Sequence, residues 1–322
     1  MDVAVRLFPY KLPLQTPNTW REGVILELED EEGVIGHGEA APLKGFSQET
    51  LSDILDRDSD LSALPYPSVN FALDMARLEI LSYKQGVPIR KLLNPDALST
   101  LPIHSLVTLE KVESLDPSKV CGPVVKLKVG FPGKEGALRA AKLVCEYSKE
   151  GLLMRLDANR AWTLEEAYLF WEHAKGASID YIEEPLKNPC ELAVFYEQTG
   201  CPLALDETLQ YANTNVFSQL DLTQINPRAF ILKPTLIGGL VQLERLVFLA
   251  RELGALIVMS AAFESNVGLR HIAQLAAAWQ SEGCCAGLDT NKHFVENLGY
   301  FPLHSGLIDL QEIDRASRLM LV

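Results

Sequence analysis

The sequence has few residues that could form disulfides or metal sites built on sulfur or imidazole. It contains six cysteines in 322 residues, and none of them belongs to a Cys-x-x-Cys pair. The cysteines lie in or beside apolar segments, which is typical of reduced, buried thiols. Histidine is equally scarce, and the six histidines are too widely spread for a zinc site. We therefore expect neither disulfides nor zinc.

Further absences narrow the range of functions. No apolar run is long enough to cross a bilayer, and the N-terminus lacks the basic start and apolar stretch of a secretory signal. The formal net charge of -14 would repel phosphate backbones and anionic membranes. We expect a cytoplasmic protein that binds neither nucleic acid nor membranes. The sequence leaves its oligomeric state open.

The N-terminal region has the pattern of a small α+β unit. Strand patterns and a hairpin turn occupy residues 3–9, 22–28 and 30–33. Segments 48–55 and 69–83 carry apolar residues at helical spacing, with Ser68 and Asn70 as candidate N-caps. The pattern predicts an antiparallel sheet followed by two helices.

From about residue 102 short apolar runs alternate with amphipathic segments. The strand candidates are 103–107, 124–129, 152–156, 181–182, 203–205, 229–232 and 256–259. The helix candidates between them include 134–148, 164–174, 240–253 and 267–278. This alternation predicts parallel βα units, and their number favours a closed α/β barrel. A doubly wound open sheet is the alternative, although no glycine-rich phosphate fingerprint follows the early strands.

Polar residues stand at or just past the end of nearly every strand candidate. They are Lys126 and Lys128, Asp157 and Asn159, Glu183 and Glu184, Asp206 and Glu207, Lys233, and Ser260. Taken singly, each is more often a helix cap, a loop residue or a surface lysine. In a barrel, however, the carboxyl ends of all strands converge on one mouth, where active sites are built. Their repetition therefore predicts an active site.

Three acids on neighbouring strands suit a hard divalent cation. Asp157, Glu183 and Asp206 offer carboxylate oxygens, which Mg²⁺ prefers, with water or substrate oxygens completing its coordination. Such a cation can bind a substrate carboxylate and stabilise the charge that develops when the adjacent carbon loses its proton. We expect a Mg²⁺-dependent enzyme with a small-molecule carboxylate substrate, and Mn²⁺ as a substitute ion.

The lysines are candidates for the acid and the base. Lys126 and Lys128 are two apart on a strand, so both should point into the barrel and lower each other's pKa. Lys233 would approach from the opposite side. A lysine on each face of a planar enolate can remove a proton from either face or stabilise the intermediate.

These residues resemble the signature of the enolase superfamily, muconate-lactonizing subgroup. The matching segments are Lys126-Leu127-Lys128, Leu156 to Trp162, Ile182-Glu183-Glu184-Pro185, Asp206-Glu207 and Leu232-Lys233-Pro234. The resemblance implies a modified (β/α) TIM-like barrel over residues 99–295. It also implies an α+β capping domain, formed by residues 1–98 and joined by the C-terminal tail 296–322.

The resemblance also assigns roles to the residues. It implies Asp157, Glu183 and Asp206 as Mg²⁺ ligands. It implies Lys128 and Lys233 as the acid/base pair. Supporting roles fall to Lys126 and Asn159.

Within this subgroup, the segment from Gly36 to Thr50 is similar to the capping loop of the o-succinylbenzoate synthase family. The segments Pro67-Ser68-Val69 and Gly287-Leu288-Asp289-Thr290 and the residue Arg155 also match. The family reaction is the syn dehydration of 2-succinyl-6-hydroxy-2,4-cyclohexadiene-1-carboxylate to 2-succinylbenzoate in menaquinone biosynthesis. The resemblance makes Lys128 the base that forms a metal-stabilised enolate, with Lys233 as a cation across the ring. Arg155 has two open roles: it pairs with the substrate's second carboxylate or it braces Asp157.

One segment departs from the family pattern. The family carries serines on the seventh strand, whereas here Ser260 is followed by Ala261 and Ala262. Two hydroxyl donors to the succinyl carboxylate are therefore missing. Backbone N–H groups there, or those of Gly238 and Gly239, are alternative donors, because glycine lets a carboxylate approach closely.

Other functions of the superfamily, and a function without catalysis, must be weighed against this one. An N-acylamino acid racemase, or another racemase or epimerase of the superfamily, would use the same two lysines, one on each face. A dipeptide epimerase is disfavoured because residues 287–290 lack its Asp-x-Asp pattern, and the capping loop disfavours a muconate cycloisomerase. A noncatalytic barrel would have no need for lysines on both sides of a metal.

Overall fold

A computed structural model gives the fold of residues 2–55, 61, 64–120, 122–210 and 220–319. Cys121 and parts of the predicted domain ranges 1–98 and 296–322 lie outside the described residues. The described part forms an N-terminal α+β unit and a parallel α/β barrel. This confirms the predicted fold class and excludes the doubly wound alternative.

An antiparallel sheet begins the N-terminal unit. Its strands, in the order β1-β2-β3, are β1 (Asp2–Pro13), β2 (Trp20–Asp30) and β3 (Ile35–Ala40). The turn between β2 and β3 forms because Asp30 Oδ1 accepts hydrogen bonds from the backbone N–H groups of Glu32 and Val34, both at 2.9 Å. Gly33 takes the positive φ of 78° that this turn requires. The predicted hairpin is confirmed.

Three helices follow the sheet: α1 (Leu51–Leu55), α2 (Pro67–Gln85) and α3 (Ile89–Leu93). Helix α2 packs directly on β3. A Cβ at Gly36 would lie 2.1 Å from Ala76 O, and one at Gly38 would lie 1.9 Å from Ala72 O. The two glycines of β3 therefore allow the close approach of the helix to the sheet.

The predicted caps of α2 are wrong. The N-cap position is Tyr66, which makes no side-chain capping bond, and Pro67 starts the helix. Ser68 lies inside the first turn, where its hydroxyl donates to Glu49 Oε1 at 2.5 Å. The Ser68 hydroxyl, which the sequence pattern predicted to cap the helix, therefore binds the buried carboxylate of Glu49 instead.

The barrel is built on a parallel sheet of seven strands in the order β11-β10-β9-β8-β7-β6-β5. The strands are β5 (Ser105–Val107), β6 (Val125–Lys128), β7 (Met154–Asp157), β8 (Ile179–Glu183), β9 (Leu203–Leu205), β10 (Ala229–Leu232) and β11 (Leu256–Met259). Strand β4 (Thr100–Pro102) precedes them and belongs to a separate small sheet.

A short segment closes the sheet into a barrel. Ala286 forms a parallel bridge to Ile103, beside the first strand, and Gly287 forms one to Ser260, beside the last. On the first side the N–H of Ala286 donates to Pro102 O at 2.8 Å, and on the other the N–H of Gly287 donates to Met259 O at 2.8 Å. The eighth position of the barrel is therefore filled by residues 286–287.

Helices cover the outside of the barrel. They are α4 (Gly133–Lys149), α5 (Leu164–Ala174), α6 (Leu192–Thr199), α7 (Glu207–Gln210), α8 (Leu222–Ile225), α9 (Pro234–Ile237), α10 (Leu240–Glu252) and α11 (Asn266–Trp279). Short 3₁₀ turns lie at Val112–Ser114, Pro117–Lys119, Pro189–Glu191 and Asn291–His293. Helix α5 shows the local logic: Thr163 and Glu166 form a capping box that fixes its start.

The C-terminal tail packs against the start of the barrel. It contains β12 (Leu303–His304), β13 (Leu307–Asp309) and α12 (Leu310–Leu319). Strand β13 pairs antiparallel with β4, and Arg90 Nη1 donates to Asp314 Oδ1 at 2.6 Å. The tail thus contacts both the segment that enters the barrel and helix α3 of the N-terminal unit.

Two further observations concern the cysteines and the helices of the described residues. The cysteines in the described part, at 145, 190, 201, 284 and 285, are free thiols. Cys190 is exposed, contrary to the expectation of uniformly buried thiols, and Cys145 is half-buried. Across the described residues, no helix combines the length and apolar character needed to span a membrane.

A buried carboxylate connects the N-terminal unit to the barrel. Glu39, at the end of β3, is fully buried and accepts a 2.8 Å hydrogen bond from the N–H of Ser265 and a 2.5 Å bond from its hydroxyl. It also accepts from the N–H of Gly268 at 2.7 Å and from the hydroxyl of Tyr10 at 2.5 Å. Ser265 is the N-cap of α11, so the charge lies where the helix dipole favours an anion.

We predict that Glu39→Gln lowers the free energy of unfolding by about 3 kcal/mol. The substitution removes the charge and points an amide N–H₂ at groups that are themselves donors. The measurement is chemical denaturation followed by circular dichroism. The control is Glu282→Gln at an exposed position, which should change stability by less than about 0.5 kcal/mol. Equal stability of the two variants would show that Glu39 does not join the two units.

Candidate active site

Five consecutive barrel strands present charged side chains at their carboxyl ends. Along the sheet from β6 to β10 the residues at or just after each strand are Lys128, Asp157, Glu183, Asp206 and Lys233. Lys128 is the register partner of Asp157, and Asp157 is that of Glu183. The barrel therefore places three carboxylates side by side with a lysine at each flank.

The lysines contact the carboxylates directly. Lys128 Nζ donates to Asp157 Oδ2 at 2.6 Å and to Asn159 Oδ1 at 2.7 Å. On the opposite flank Lys233 Nζ forms an ion pair with Asp206. Both predicted acid/base lysines are thus brought to the same cluster, and Asn159 lies beside the first of them.

Lys126 lies in the centre of the cluster, below the level of Lys128. Its Nζ donates to both oxygens of Glu183, at 2.6 and 2.7 Å, and lies 2.9 Å from Asp157 Oδ2. Burial alone would lower the pKa of Lys126, but the charges of Asp157 and Glu183 raise it well above its ordinary value. The carboxylates that surround this ammonium group therefore outweigh the expected lowering of its pKa by the neighbouring lysine.

The pKa values of Asp157 and Glu183 shift in opposite directions. Burial would raise the pKa of Asp157, but the ammonium groups of Lys126 and Lys128 lower it well below its ordinary value. Burial and then the charge of Asp157 raise the pKa of Glu183 well above its ordinary value. The cluster is thus a set of acids so crowded that not all of them ionise easily without additional positive charge.

This crowding fits a divalent cation. Asp157, Glu183 and Asp206 are almost completely buried, and Asp206 Oδ1 has no hydrogen-bond partner within the described part of the chain. An all-oxygen donor set with an orphaned carboxylate oxygen matches the preference of Mg²⁺. Within the same residues, no three acidic, histidine or cysteine side chains converge as ready-made ligands. Ammonium groups lie between the carboxylates instead, so metal binding requires the lysines to move aside.

A further buried acid, Glu184, holds the loop that carries Asp206. Glu184 Oε1 accepts hydrogen bonds from the N–H groups of Asp206 at 2.9 Å and Thr208 at 2.7 Å. Arg160 Nε donates to Glu184 Oε2 at 3.0 Å. Asn159, Arg160 and Glu184 all have positive φ, between 42° and 57°. These strained turns lie directly after β7 and β8, where they turn the ligand-bearing strand ends over the mouth.

Next to the charged cluster lies a cavity with polar and apolar lining residues. The polar ones are His104, Lys126, Lys128, Asn159, Lys233, Ser260, Asp289 and Thr290. The remaining lining residues are Leu43, Phe46, Leu106, Ala261, Ala262, Phe263 and Gly287. Phe46, from the segment that resembles the capping loop, lines the cavity, so the N-terminal unit supplies part of its wall.

Three of the predicted substrate contacts, Arg155, Gly238 and Gly239, do not line this cavity. Arg155 lies within the barrel, where it donates to Asp180 Oδ2 at 3.0 Å and to Cys285 O at 2.7 Å. Gly238 lies against Pro67, and the Asp74 carboxylate occupies the space beside Gly239. Asp74 also accepts the N–H of Leu240, so a helix-capping carboxylate already takes the place expected for a substrate anion.

Two residues that the sequence patterns did not mark contribute to the site. His104 lines the cavity, and Arg21 lies behind its wall. Neither belongs to a motif. The only local signal is a charged or polar side chain at an inward position of a strand, as Arg21 shows in β2, where it is buried between exposed neighbours.

Arg21 binds both walls of the cavity at once. It donates to Ala41 O at 2.5 Å and to Pro42 O at 2.7 Å, at the start of the capping loop. It also donates to Phe263 O at 2.8 Å and to Ala262 O at 3.3 Å, in the loop after β11. Phe263 has a φ of 60°, which is unusual for a bulky residue. Arg21 therefore holds a strained cavity-lining residue against the capping loop.

Two family models match the chain. The family described as Enolase C-terminal domain-like matches residues 121–307, more than half of the chain. The family described as MenC, N-terminal domain matches residues 3–80. The first match contains the lysine and carboxylate cluster, and the second contains Arg21, Glu39 and the capping loop.

Named relatives agree with these matches. An o-succinylbenzoate synthase of Vibrio cholerae serotype O1 (strain M66-2) is 34% identical over 299 residues, covering 84% of this chain and 84% of the relative. One of Yersinia pseudotuberculosis serotype I (strain IP32953) is 32% identical over 285 residues, covering 84% of this chain and 82% of the relative.

Solved structures show the same fold at lower identity. An N-succinyl Arg/Lys racemase from Bacillus cereus ATCC 14579 superposes with a TM-score of 0.81 at 18% identity, covering 96% of this chain and 93% of the other. The muconate lactonizing enzyme from Pseudomonas putida superposes with a TM-score of 0.79 at 19% identity, covering 98% and 99%. At these identities the likeness concerns the fold alone.

We predict that Arg21→Met destabilises the protein by about 3 kcal/mol, because it leaves buried carbonyl groups of two loops without a donor. Hydrogen exchange should accelerate at residues 41–46 and 261–264, and less elsewhere. The matched control is Arg245→Met on the exposed face of α10, which should leave both readouts unchanged. Exchange that rises uniformly over the barrel would contradict a specific connection between these loops.

Proposed function

Because the chain belongs to the o-succinylbenzoate synthase family of the enolase superfamily, we propose that it catalyses the Mg²⁺-dependent syn dehydration of 2-succinyl-6-hydroxy-2,4-cyclohexadiene-1-carboxylate to 2-succinylbenzoate. The reaction would serve menaquinone biosynthesis in the cytoplasm. It is a carbon–oxygen lyase reaction that starts with loss of a proton beside a carboxylate.

One observation carries the proposal. Lys128 and Lys233 flank the same three buried carboxylates and line the same cavity. A cluster built only to stabilise the barrel would gain little from this, since buried ion pairs are costly to desolvate and apolar packing of the same volume is often as stable. A site for proton abstraction next to a carboxylate needs this combination of charges.

The proposed metal ligands are Asp157, Glu183 and Asp206. The support is their burial on adjacent strands, the crowding that raises the pKa of Glu183, and the orphaned oxygen of Asp206. When bound there, Mg²⁺ would hold the substrate carboxylate and stabilise the second negative charge that develops on it. Lys126 and Asn159 would then act as supporting residues that orient Glu183 and Lys128 respectively.

Lys128 is the proposed base. Its side chain is the most accessible of the three lysine side chains in the cluster, at 28%, against 11% for Lys233 and 6% for Lys126. As the neutral amine it would take the proton from the ring carbon that bears the carboxylate. The C–O bond to the hydroxyl on the same face would then break, with the proton returned to that oxygen, so that water leaves and the ring becomes aromatic.

Lys233 is the proposed cationic partner. Burial would lower its pKa, but the carboxylate of Asp206 raises it above its ordinary value, so that it stays protonated. A permanent cation on the opposite flank would stabilise the developing anion without exchanging a proton. In this scheme the two lysines have different tasks although their positions are similar.

The domain arrangement is part of the proposal. Residues 1–98, together with the tail 296–322, would cap the barrel formed by 99–295. The contacts of Phe46 with the cavity and of Arg21 with both loops support a capping role. A cap over the site would exclude water from the reacting carbon.

The alternative is an N-acylamino acid racemase. It would use Lys128 and Lys233 as two bases, each of which exchanges a proton on one face. A steady-state assay with the cyclohexadiene substrate and with an N-succinylamino acid, each with and without chelator, separates the two. Turnover of the amino acid alone, with exchange of its α-proton in deuterated water, would contradict the proposed dehydratase.

Lys128→Met is expected to reduce kcat for dehydration by about 10²–10⁴-fold while the fold stays intact, because general base catalysis is lost. Circular dichroism checks the fold and absorbance of the aromatic product checks the rate. Lys142→Met, whose side chain is 79% exposed, should keep full activity. Dehydration by Lys128→Met at the wild-type rate would exclude Lys128 as the base.

Asp206→Asn is expected to weaken Mg²⁺ binding by at least about tenfold, because a neutral amide replaces an anionic ligand. Isothermal titration with MgCl₂ measures the affinity independently of turnover. The exposed Asp96→Asn variant is the control and should bind like the wild type. Unchanged affinity in Asp206→Asn would place the metal elsewhere.

A further inference from the structure

His104 lies at the wall where the barrel closes. Its backbone N–H donates to Ala286 O at 3.0 Å, which attaches it to the closing segment. The residue is only 3% exposed, yet its side chain lines the cavity together with Ser260 and Gly287. It is therefore a buried polar group whose accessible surface faces the candidate active site.

Arg155 determines which ring nitrogen of His104 carries the proton. Arg155 Nη1 lies 3.2 Å from His104 Nδ1. A guanidinium group only donates hydrogen bonds and does not lose its proton, so Nδ1 must be the unprotonated acceptor. Burial, and then the charges of Arg155 and Lys126, hold the pKa of His104 well below its ordinary value. A neutral ring whose Nδ1 accepts a hydrogen bond has its proton on Nε2.

The resulting Nε2–H has no hydrogen-bond partner in the part of the chain that the structure describes. Among the described residues, the hydrogen bonds of the His104 side chain are limited to the one with Arg155. The neighbouring Ser260 hydroxyl makes a single long contact, 3.4 Å to Gly287 O. Nε2 is not among the side-chain atoms that are both fully buried and unpartnered, so a molecule in the cavity that accepts a hydrogen bond can reach this donor.

Gly287 keeps the space in front of these donors open. A Cβ on Gly287 would lie 2.6 Å from Ser260 Oγ and 3.3 Å from His104 Cε1. Any side chain at this position would therefore fill the space between the hydroxyl and the imidazole. The glycine leaves a recess beside two polar side chains at the edge of the cavity.

We propose that the Nε2–H of His104 donates a hydrogen bond to an oxygen of the substrate side chain that does not bind the metal, and thereby contributes to substrate selectivity. The inference rests on the proposed function, since the substrate is taken to be the succinyl-bearing carboxylate. It also addresses the departure on the seventh strand. Where Ala261 and Ala262 provide no hydroxyl donors, His104 supplies one N–H from the other side of the closing segment.

Arg155 has a positioning role in this arrangement. It does not reach the cavity, but it fixes the tautomer and the orientation of His104 while it is itself held by Asp180 and Cys285. Its guanidinium group also lies over the ring of Tyr181, with 5.0 Å between the guanidinium carbon and the ring centroid, which restricts it further. The sequence left two roles open for Arg155, pairing with a substrate carboxylate or bracing Asp157. Neither role is needed to explain why Arg155 is buried.

The first test observes the donor directly. Two-bond ¹H–¹⁵N spectra of histidine-labelled protein with MgCl₂ should show His104 as the Nε2–H tautomer, and the His104→Gln spectrum assigns its signals. Adding 2-succinylbenzoate should shift the Nε2 resonance, whereas benzoate, which lacks the side chain, should not. 2-Acetylbenzoate, which keeps only the ketone, distinguishes a ketone acceptor from the succinyl carboxylate. An Nδ1–H tautomer, or no response to 2-succinylbenzoate, would overturn the inference.

The second test uses kinetics. His104→Phe should raise KM for the cyclohexadiene substrate about tenfold with a smaller change in kcat, because a binding hydrogen bond is lost. His104→Gln, whose amide can accept from Arg155 and donate into the cavity, should recover most of the loss. His173→Phe, at an exposed site on α5, is the control. A fall in kcat at constant KM, or no rescue by glutamine, would indicate a purely structural role.

The outcomes separate this inference from the proposed function. Wild-type protein that does not dehydrate the cyclohexadiene substrate with Mg²⁺ would overturn the proposed function and this inference together. Wild-type activity combined with an unresponsive Nε2 signal, or with an unchanged KM in His104→Phe, would overturn the role of His104 alone. If His104→Phe fails to fold, the spectra and the His104→Gln variant still decide.

Discussion

The buried cluster of three carboxylates and three lysines at the barrel mouth is the constraint on which the rest of the structure depends. Three carboxylates on adjacent strands repel one another in a place that water scarcely reaches, and the ammonium groups of Lys126, Lys128 and Lys233 balance them. Removing one partner of a buried ion pair costs about 3–5 kcal/mol, because the remaining charge is left uncompensated. The strand order and register must therefore be kept for the charges to meet.

The loops around the cluster are held by charged side chains that bind backbone groups. Glu184 binds the N–H groups of the loop after β9, and Arg21 binds carbonyl groups of the capping loop and of the loop after β11. Glu39 binds the first N–H groups of α11. Such contacts are directional, so they fix the position of a loop more exactly than apolar packing does. The capping loop and the barrel mouth therefore form one cavity.

Much of the barrel could be predicted because its strands are short, apolar and separated by helices. The bounds of β9, β10 and β11 agree with the apolar runs at 203–205, 229–232 and 256–259. Strand β8 was predicted too short, since Asp180 interrupts its apolar pattern; the structure pairs this acid with Arg155. The grouping of the lysines and carboxylates could also be predicted, because parallel strands end at one mouth.

The contributions of Arg21, Glu39 and His104 could not be predicted in the same way. Each is a single polar residue in or beside a strand, and its function depends on partners far away in sequence. A pattern of period two cannot distinguish a solvated charge from one that binds another segment. The surroundings of Gly238 and Gly239 could not be predicted for the same reason: Pro67 and the carboxylate of Asp74, both from the N-terminal unit, lie beside Gly238 and Gly239 respectively.

The contact between Glu39 and the start of α11 also has a consequence for biosynthesis. The partners Ser265 and Gly268 lie 226 and 229 residues further along the chain. At about 5–20 residues per second, a ribosome needs roughly 10–45 seconds to deliver them. During that time the N-terminal sheet has already left the ribosome. Glu39 is still hydrated, and the side of the sheet that will face the barrel is uncovered. The N-terminal unit is therefore synthesised first, but it can complete its contacts only after the barrel segment that contains Ser265 and Gly268 has been made.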